Sequence, residues 1–154
     1  MSPDGKSVYV ASQDSNAVAI FDRDPMTGKL TQKPGTDGCI SETGSGGACT
    51  DGTALAYARS VTISPDGKNA YVASLAITNA VAIFDRDPTT GKLTQKPGTD
   101  GCISETGSGG ACTDGRALIG ADSITLSPTG RTSMWPLVSA TPSRSSTATP
   151  RPAS

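Results

Sequence analysis

Histidine is absent from the 154 residues. Its absence removes the usual general base near neutral pH and the commonest metal ligand. No Ser/His/Asp set can be built, and the G-x-S-x-G elbow does not occur. Aromatic residues make up only 4% of the chain, too few for the platforms on which bases stack. Thirteen Lys and Arg face 14 Asp and Glu, for a net charge of −1. Nucleic-acid surfaces and polybasic membrane contacts normally show a clear positive excess, so neither is expected. No apolar run approaches the ~20 residues that cross a bilayer. The opening segment Met1–Val10 has no apolar stretch of the signal-peptide kind. It begins part-way through a repeat, from which a further upstream portion is expected.

What is present is one stretch written twice. Asn16–Leu55 recurs as Asn79–Leu118 with only Met26→Thr89 and Thr53→Arg116 changed, so 38 of 40 positions match. Each copy follows an SPDGK turn and a short apolar run, SVYVAS after Lys6 and NAYVAS after Lys68. In Ser2–Pro3–Asp4–Gly5 and Ser64–Pro65–Asp66–Gly67, Pro presets φ, Asp can bond the backbone, and Gly takes the left-handed position. Ser127–Pro128–Thr129–Gly130 starts the pattern a third time, giving periods of 62 and 63 residues.

Within each period the apolar spacing is two, not 3.6. Val8 and Val10 alternate with Tyr9 and Ala11, and Val18 and Ile20 with Ala17, Ala19 and Phe21. Runs that are β-branched and apolar on both faces suit strands sandwiched between neighbouring sheets. One full period therefore reads as strands over Ser60–Ile63, Ala70–Ser74, Ala80–Asp85 and Lys92–Gln95, then a long loop. Four antiparallel strands per period form a blade of a β-propeller, and the fold class expected is all-β: an incomplete propeller of about two blades. The expected division is a partial blade and its loop over 1–58, a full blade and loop over 59–121, the first strand of a third blade over 122–131, and a disordered tail over 132–154.

The four cysteines fall as two C-x9-C pairs, Cys39/Cys49 and Cys102/Cys112, each bracketing a Gly/Ser loop. The C-x2-C spacing of zinc ribbons and redox sites is missing. The placement favours two short disulfide staples over free thiols, each able to stabilise by roughly 2–3 kcal/mol in the chain-entropy model. Such bonds persist outside the cytosol, so an extracellular or cell-surface parent protein is expected.

The segments SPDGKSVYVASQDSNAVAIFD and SPDGKNAYVASLAITNAVAIFD resemble the YVTN-type β-propeller repeats of bacterial surface and exported proteins. Tyr9–Val10–Ala11–Ser12 stands in place of the signature tetrapeptide, departing from it at Ala11 and Ser12. The pattern is also similar to lactonase-like seven-bladed propellers, a family whose members include sugar-lactone hydrolases. The disulfide-bracketed loop Lys33–Ala58 is longer than the usual blade connection.

After Arg131 the pattern gives way to a stretch rich in Ser, Thr and Pro, a composition typical of disorder. Shifting the reading frame with free choice of synonymous codons lets Thr132–Leu137 encode VYVAS and Ala140–Ser154 encode NAVAIFDRDPTTGK. A frameshift inside a third blade is expected on that basis. It would leave Trp135, Pro136 and the basic tail residues without a selected role.

The candidate sites are weighed against plain structural roles. Asp22/Asp24 and Asp85/Asp87 lie two apart at strand ends and, with Asp37, Glu42 and Asp51, suggest a cation site. Calcium wants six to eight oxygens and no D-x-D-x-D-G loop is present, so turn and solvent-facing carboxylates are favoured and no metal is expected. The Gly-rich loop lacks G-x-x-x-x-G-K-[ST], which favours a flexible linker over a phosphate cradle, and no cofactor is expected. Lys29 and Lys92 are expected to blunt a sheet edge, and Tyr9, Tyr71, Phe21 and Phe84 to pack in the core. No catalytic residue is assigned. The leading expectation is a non-catalytic scaffold or binding fragment whose partner is an unknown macromolecule or a cell-envelope component. The alternative is a fragment of a lactonase-like hydrolase whose catalytic residues lie outside this chain. Further blades of the parent chain are the other expected partner, because about three or more repeats are usually needed for stability. By itself the chain is expected to be unstable or to associate.

Overall fold

The structure is a computed structural model that describes residues 1–75 and 79–128. The SPTG turn at Ser127–Gly130 therefore lies partly, and the tail with its expected frameshift wholly, outside the described residues. Two sheets are present, with no α-helix among the described residues. The first holds β1 (Ser7–Ser12), β2 (Ala17–Arg23), β3 (Leu30–Gln32), β4 (Cys39–Ser41) and β5 (Thr50–Asp51). The second holds β6 (Ala58–Ile63), β7 (Asn69–Ser74), β8 (Ala80–Arg86), β9 (Leu93–Gln95), β10 (Cys102–Ser104) and β11 (Thr113–Asp114).

The turn chemistry explains the hairpins. In the first SPDG turn Gly5 sits at φ 70°. Asp4 accepts the Ser2 hydroxyl at 2.5 Å and the Lys6 amide at 3.1 Å. The Ser2 hydroxyl in turn accepts the Ser7 amide, which starts β1. Ser64, Asp66 and Gly67 repeat the arrangement before β7. At the tip between β2 and β3, Asp24 accepts the amides of Met26 and Thr27, and Gly28 closes the turn at φ 74°. The antiparallel β6–β7–β8 meander follows the expected strands to within two residues at each end.

The outer edge differs from the expectation. The fourth strand of each blade is split in two. β3 pairs with the C-terminal half of β2 (Phe21↔Gln32 to Arg23↔Leu30). β4 takes the N-terminal half (Ala17↔Ser41 to Ala19↔Cys39). Between them Lys33–Gly38 bulges out, ending in a 3-10 turn over Gly35–Gly38. Gly38 is required there, because a Cβ would lie 2.5 Å from the Lys33 carbonyl oxygen. A fifth short strand, β5, then runs parallel to β4. The second copy repeats this with β9, β10 and β11. Of the Gly-rich loop expected to be a flexible linker, only Thr50–Asp51 joins the sheet, while Cys39–Ser41 just before that loop forms β4. The physical reason is that β3 satisfies only three residues of a seven-residue neighbour, and Cys39–Ser41 supplies the remaining backbone partners.

The cysteines are bonded as Cys39–Cys49 and Cys102–Cys112, with Cα atoms 4.8 Å apart in each pair. Each bridge ties the first residue of the second edge segment (β4 or β10) to the residue just before the parallel strand (β5 or β11). Inside the first loop Ser45 is left-handed at φ 47°, and its hydroxyl donates to that of Ser41 at 2.9 Å.

A single apolar cluster runs through both sheets, including Val18, Ile20 and Leu55 from the first copy and Val72, Phe84 and Leu93 from the second. The sheets therefore lie face against face, as neighbouring blades. Residues Ala121–Ser127 pass beside β6 without forming a strand or helix. There the Ile124 carbonyl accepts the Thr62 hydroxyl at 2.9 Å.

Candidate functional site

The densest polar arrangement lies between the sheets and centres on Arg86, only 4% exposed at the end of β8. Its Nε donates to the Tyr9 hydroxyl of the other sheet at 2.6 Å. Its Nη1 donates to the Gly67 carbonyl at 2.9 Å. Nη2 reaches the Ser7 hydroxyl at 3.4 Å and a carboxylate oxygen of Asp4 at 3.5 Å. Tyr9 passes its own proton to the Gly91 carbonyl at 2.7 Å, so its oxygen both donates and accepts. The guanidinium carbon also stands 6.0 Å from the Tyr9 ring centre, the outer limit for a cation–π contact. The hydrogen bond to the hydroxyl is the stronger link. A buried charge needs partners for its donors, and this fork has them.

Two further contacts cross the same boundary. The Gln95 side chain is bidentate to the Thr53 backbone, accepting its amide and donating to its carbonyl at 2.8 Å each. Lys92 pairs with Asp37 at 2.7 Å. Gly91 lies so close to the first sheet that a Cβ there would meet the Ser7 hydroxyl at 2.2 Å.

Asp51 is exposed on the short strand β5, and the other carboxylates considered for a cation are engaged elsewhere. Asp22 pairs with Lys33 and Asp85 with Lys96, each at 2.5 Å. Asp24 and Asp87 cap their turns, and hydrogen bonds from the Thr27 and Met26 amides, and from those of Thr90 and Thr89, hold both carboxyls below the ordinary 3.8. Asp37 is committed to Lys92, and Glu42 accepts the Leu55 amide. No group of three or more potential ligands converges among the described residues.

Lys92 does more than blunt an edge, since it bridges the sheets. Tyr9 and Phe84 are buried as expected, whereas Tyr71 and Phe21 are half-buried because no further sheet among the described residues covers them. Arg86 went unread in the sequence. The only available signal was an Arg closing an apolar strand in both copies, at Arg23 and Arg86.

Residues 1–39 match the model of a known family, the lactonase, 7-bladed β-propeller. The resemblance drawn from the repeats is to the same family. Over those residues, about a quarter of its length, the chain is similar to a lactonase-type propeller. A "putative 6-phosphogluconolactonase" of Bacteroides fragilis is 34% identical over 61% of this chain and 22% of its own, with a TM-score of 0.46. A second protein of that description, from Bacteroides uniformis, is 28% identical over 61% and 23%, with a TM-score of 0.47. A protein of Lactobacillus plantarum is 29% identical over 61% and 24%, with a TM-score of 0.47. This chain therefore spans under a quarter of the length of these structures. No curated protein matches it.

Proposed function

We propose that this chain supplies non-catalytic propeller blades to a scaffold or binding surface outside the cytosol, its partner a macromolecule or a component of the cell envelope. One observation carries this. The polar side chains that would tempt an assignment of chemistry are committed to the architecture: Arg86, Tyr9, Lys92 and Asp37 to the seam between the sheets, Asp4, Asp24, Asp66 and Asp87 to turns, and Glu42 and Glu105 to loop amides. The near-identity of the copies supports the same reading, because an active site tends to need unlike residues converging. The two disulfides favour an oxidising compartment.

The family match favours a second reading, in which these blades belong to a lactone hydrolase whose reacting groups sit on other blades. The test is turnover of a sugar lactone, and of its 6-phospho form, by the longest polypeptide encoded across this stretch of DNA. Scaffold blades leave the rate at that of spontaneous hydrolysis. Steady turnover above that rate establishes the second reading and ends the first.

A further inference from the structure

The two copies act as a control for one another, since the same residues are covered in one and bare in the other. On the face β8 and β9 turn toward the first sheet, Phe84 is 0% and Leu93 2% exposed. Their equivalents on the first sheet, Phe21 and Leu30, are half-buried and 45% exposed, and Arg23 is likewise half-buried where Arg86 is buried. On the opposite face the pattern reverses. Ile40, Ala54 and Leu55 lie under the second sheet, whereas Ile103 and Ala117 are exposed and Leu118 is half-buried. Among the described residues there is thus one complete sheet-to-sheet interface and, on the two outer faces, one uncovered half of each kind.

We propose that these halves dock on each other, so that the first sheet of one chain packs against the second sheet of another copy of this chain, head to tail. The internal interface is the template. Arg23 would reach Tyr71 and Asp66 as Arg86 reaches Tyr9 and Asp4. Lys29 would meet Asp100 as Lys92 meets Asp37, and Gln32 would take the backbone at position 116 as Gln95 takes that of Thr53. Charge is complementary at both ionic contacts, with the cations Arg23 and Lys29 on the first sheet and the carboxylates Asp66 and Asp100 on the second. Two positions depart from the template. Thr53 becomes Arg116, which leaves the contact intact because only its backbone is used. Ser7 becomes Asn69, whose larger amide must turn aside from Gly28, since Gly91 already approaches Ser7 closely. A contact of this kind uses different surfaces on the two partners, so it propagates until the rotation closes a ring.

Two variants test the idea on the full chain with its disulfides intact. Arg23→Glu blocks only the first face and Ile103→Asp only the second. Both positions are at least partly solvent-exposed, and circular dichroism checks each fold. Light scattering should show wild-type mass rising with concentration above the 15.5 kDa of one chain. Each variant alone should remain at one-chain mass. Mixed in equal amounts they should double it and stop there, because one unblocked face of each kind remains. Association of either variant alone, or a mixture that stays at one-chain mass, overturns the proposal. So does a wild-type chain that stays monomeric, as it would if only further repeats of a longer chain can occupy these faces.

Discussion

Arg23 and Arg86 stand at the same place in two nearly identical copies, yet one is half-exposed and the other almost wholly buried. Arg23 has a long hydrogen bond, 3.3 Å, to the Gly5 carbonyl of its own turn. Arg86 makes the matching bond to Gly67 and adds Tyr9, Ser7 and Asp4 from the sheet before it. Local sequence is the same in both, so position in the stack sets the difference. A blade's own hydrogen bonds fix its shape, and its neighbour decides which of its side chains count.

The widest gap between the copies should appear in the apolar seam. Phe84→Ala empties a fully buried site and should cost about 3–5 kcal/mol, whereas Phe21→Ala removes a half-covered ring and should cost under ~1 kcal/mol. Denaturant unfolding of the two variants measures this, and equal losses would break the comparison.

The disulfides should separate next. Removing either bridge gives up loop closure worth roughly 2–3 kcal/mol. Cys49→Ser should cost more than Cys112→Ser, because the first loop also holds Ala54 and Leu55 beneath the second sheet. Thermal melts of the two single variants give the order.

Strand positions were legible because Val, Ile and Ala alternate over runs of six or seven residues bounded by SPDG and DPxTG turns. Cys39–Ser41 was not. A three-residue run shows no period, and its partner, β2, lies across a bulge that no local pattern announces. The seam was hidden for a related reason. Arg86 finds Tyr9 77 residues away and Asp4 in the turn that precedes the Tyr9 strand, and a repeat shows what recurs without showing which copy touches which. The cysteine pairs could be read because both partners sit within one loop.

A smaller contrast concerns Lys92 and Lys29. Both ends of the Lys92–Asp37 pair are about half-exposed, so Lys92→Ala should cost only ~0.2–1 kcal/mol and less in high salt. Lys29→Ala should cost nothing measurable. A salt series on both variants checks the pair.

The smallest expected effect is in acid. Asp4 and Asp66 are held below the ordinary 3.8 first by the Ser2 and Ser64 hydroxyls and then by the Lys6 and Lys68 amides, and Asp4 alone also faces Arg86. A carboxyl depressed in the folded state adds stability that is complete above its unfolded value, near pH 4, and is lost as pH falls toward the folded value. Carboxyl titration by NMR should find Asp4 moving upward in Arg86→Met while Asp66 stays where it was.

The most direct measurement is a pair of double-mutant cycles in unfolding free energy. One combines Arg86→Met with Tyr9→Phe, and the other Arg23→Met with Tyr71→Phe, at a concentration low enough to keep the chain monomeric. Coupling of roughly 1–3 kcal/mol in the first and simple additivity in the second is the predicted result. Additivity in both, or equal coupling in both, would show that the buried guanidinium does not join the two sheets.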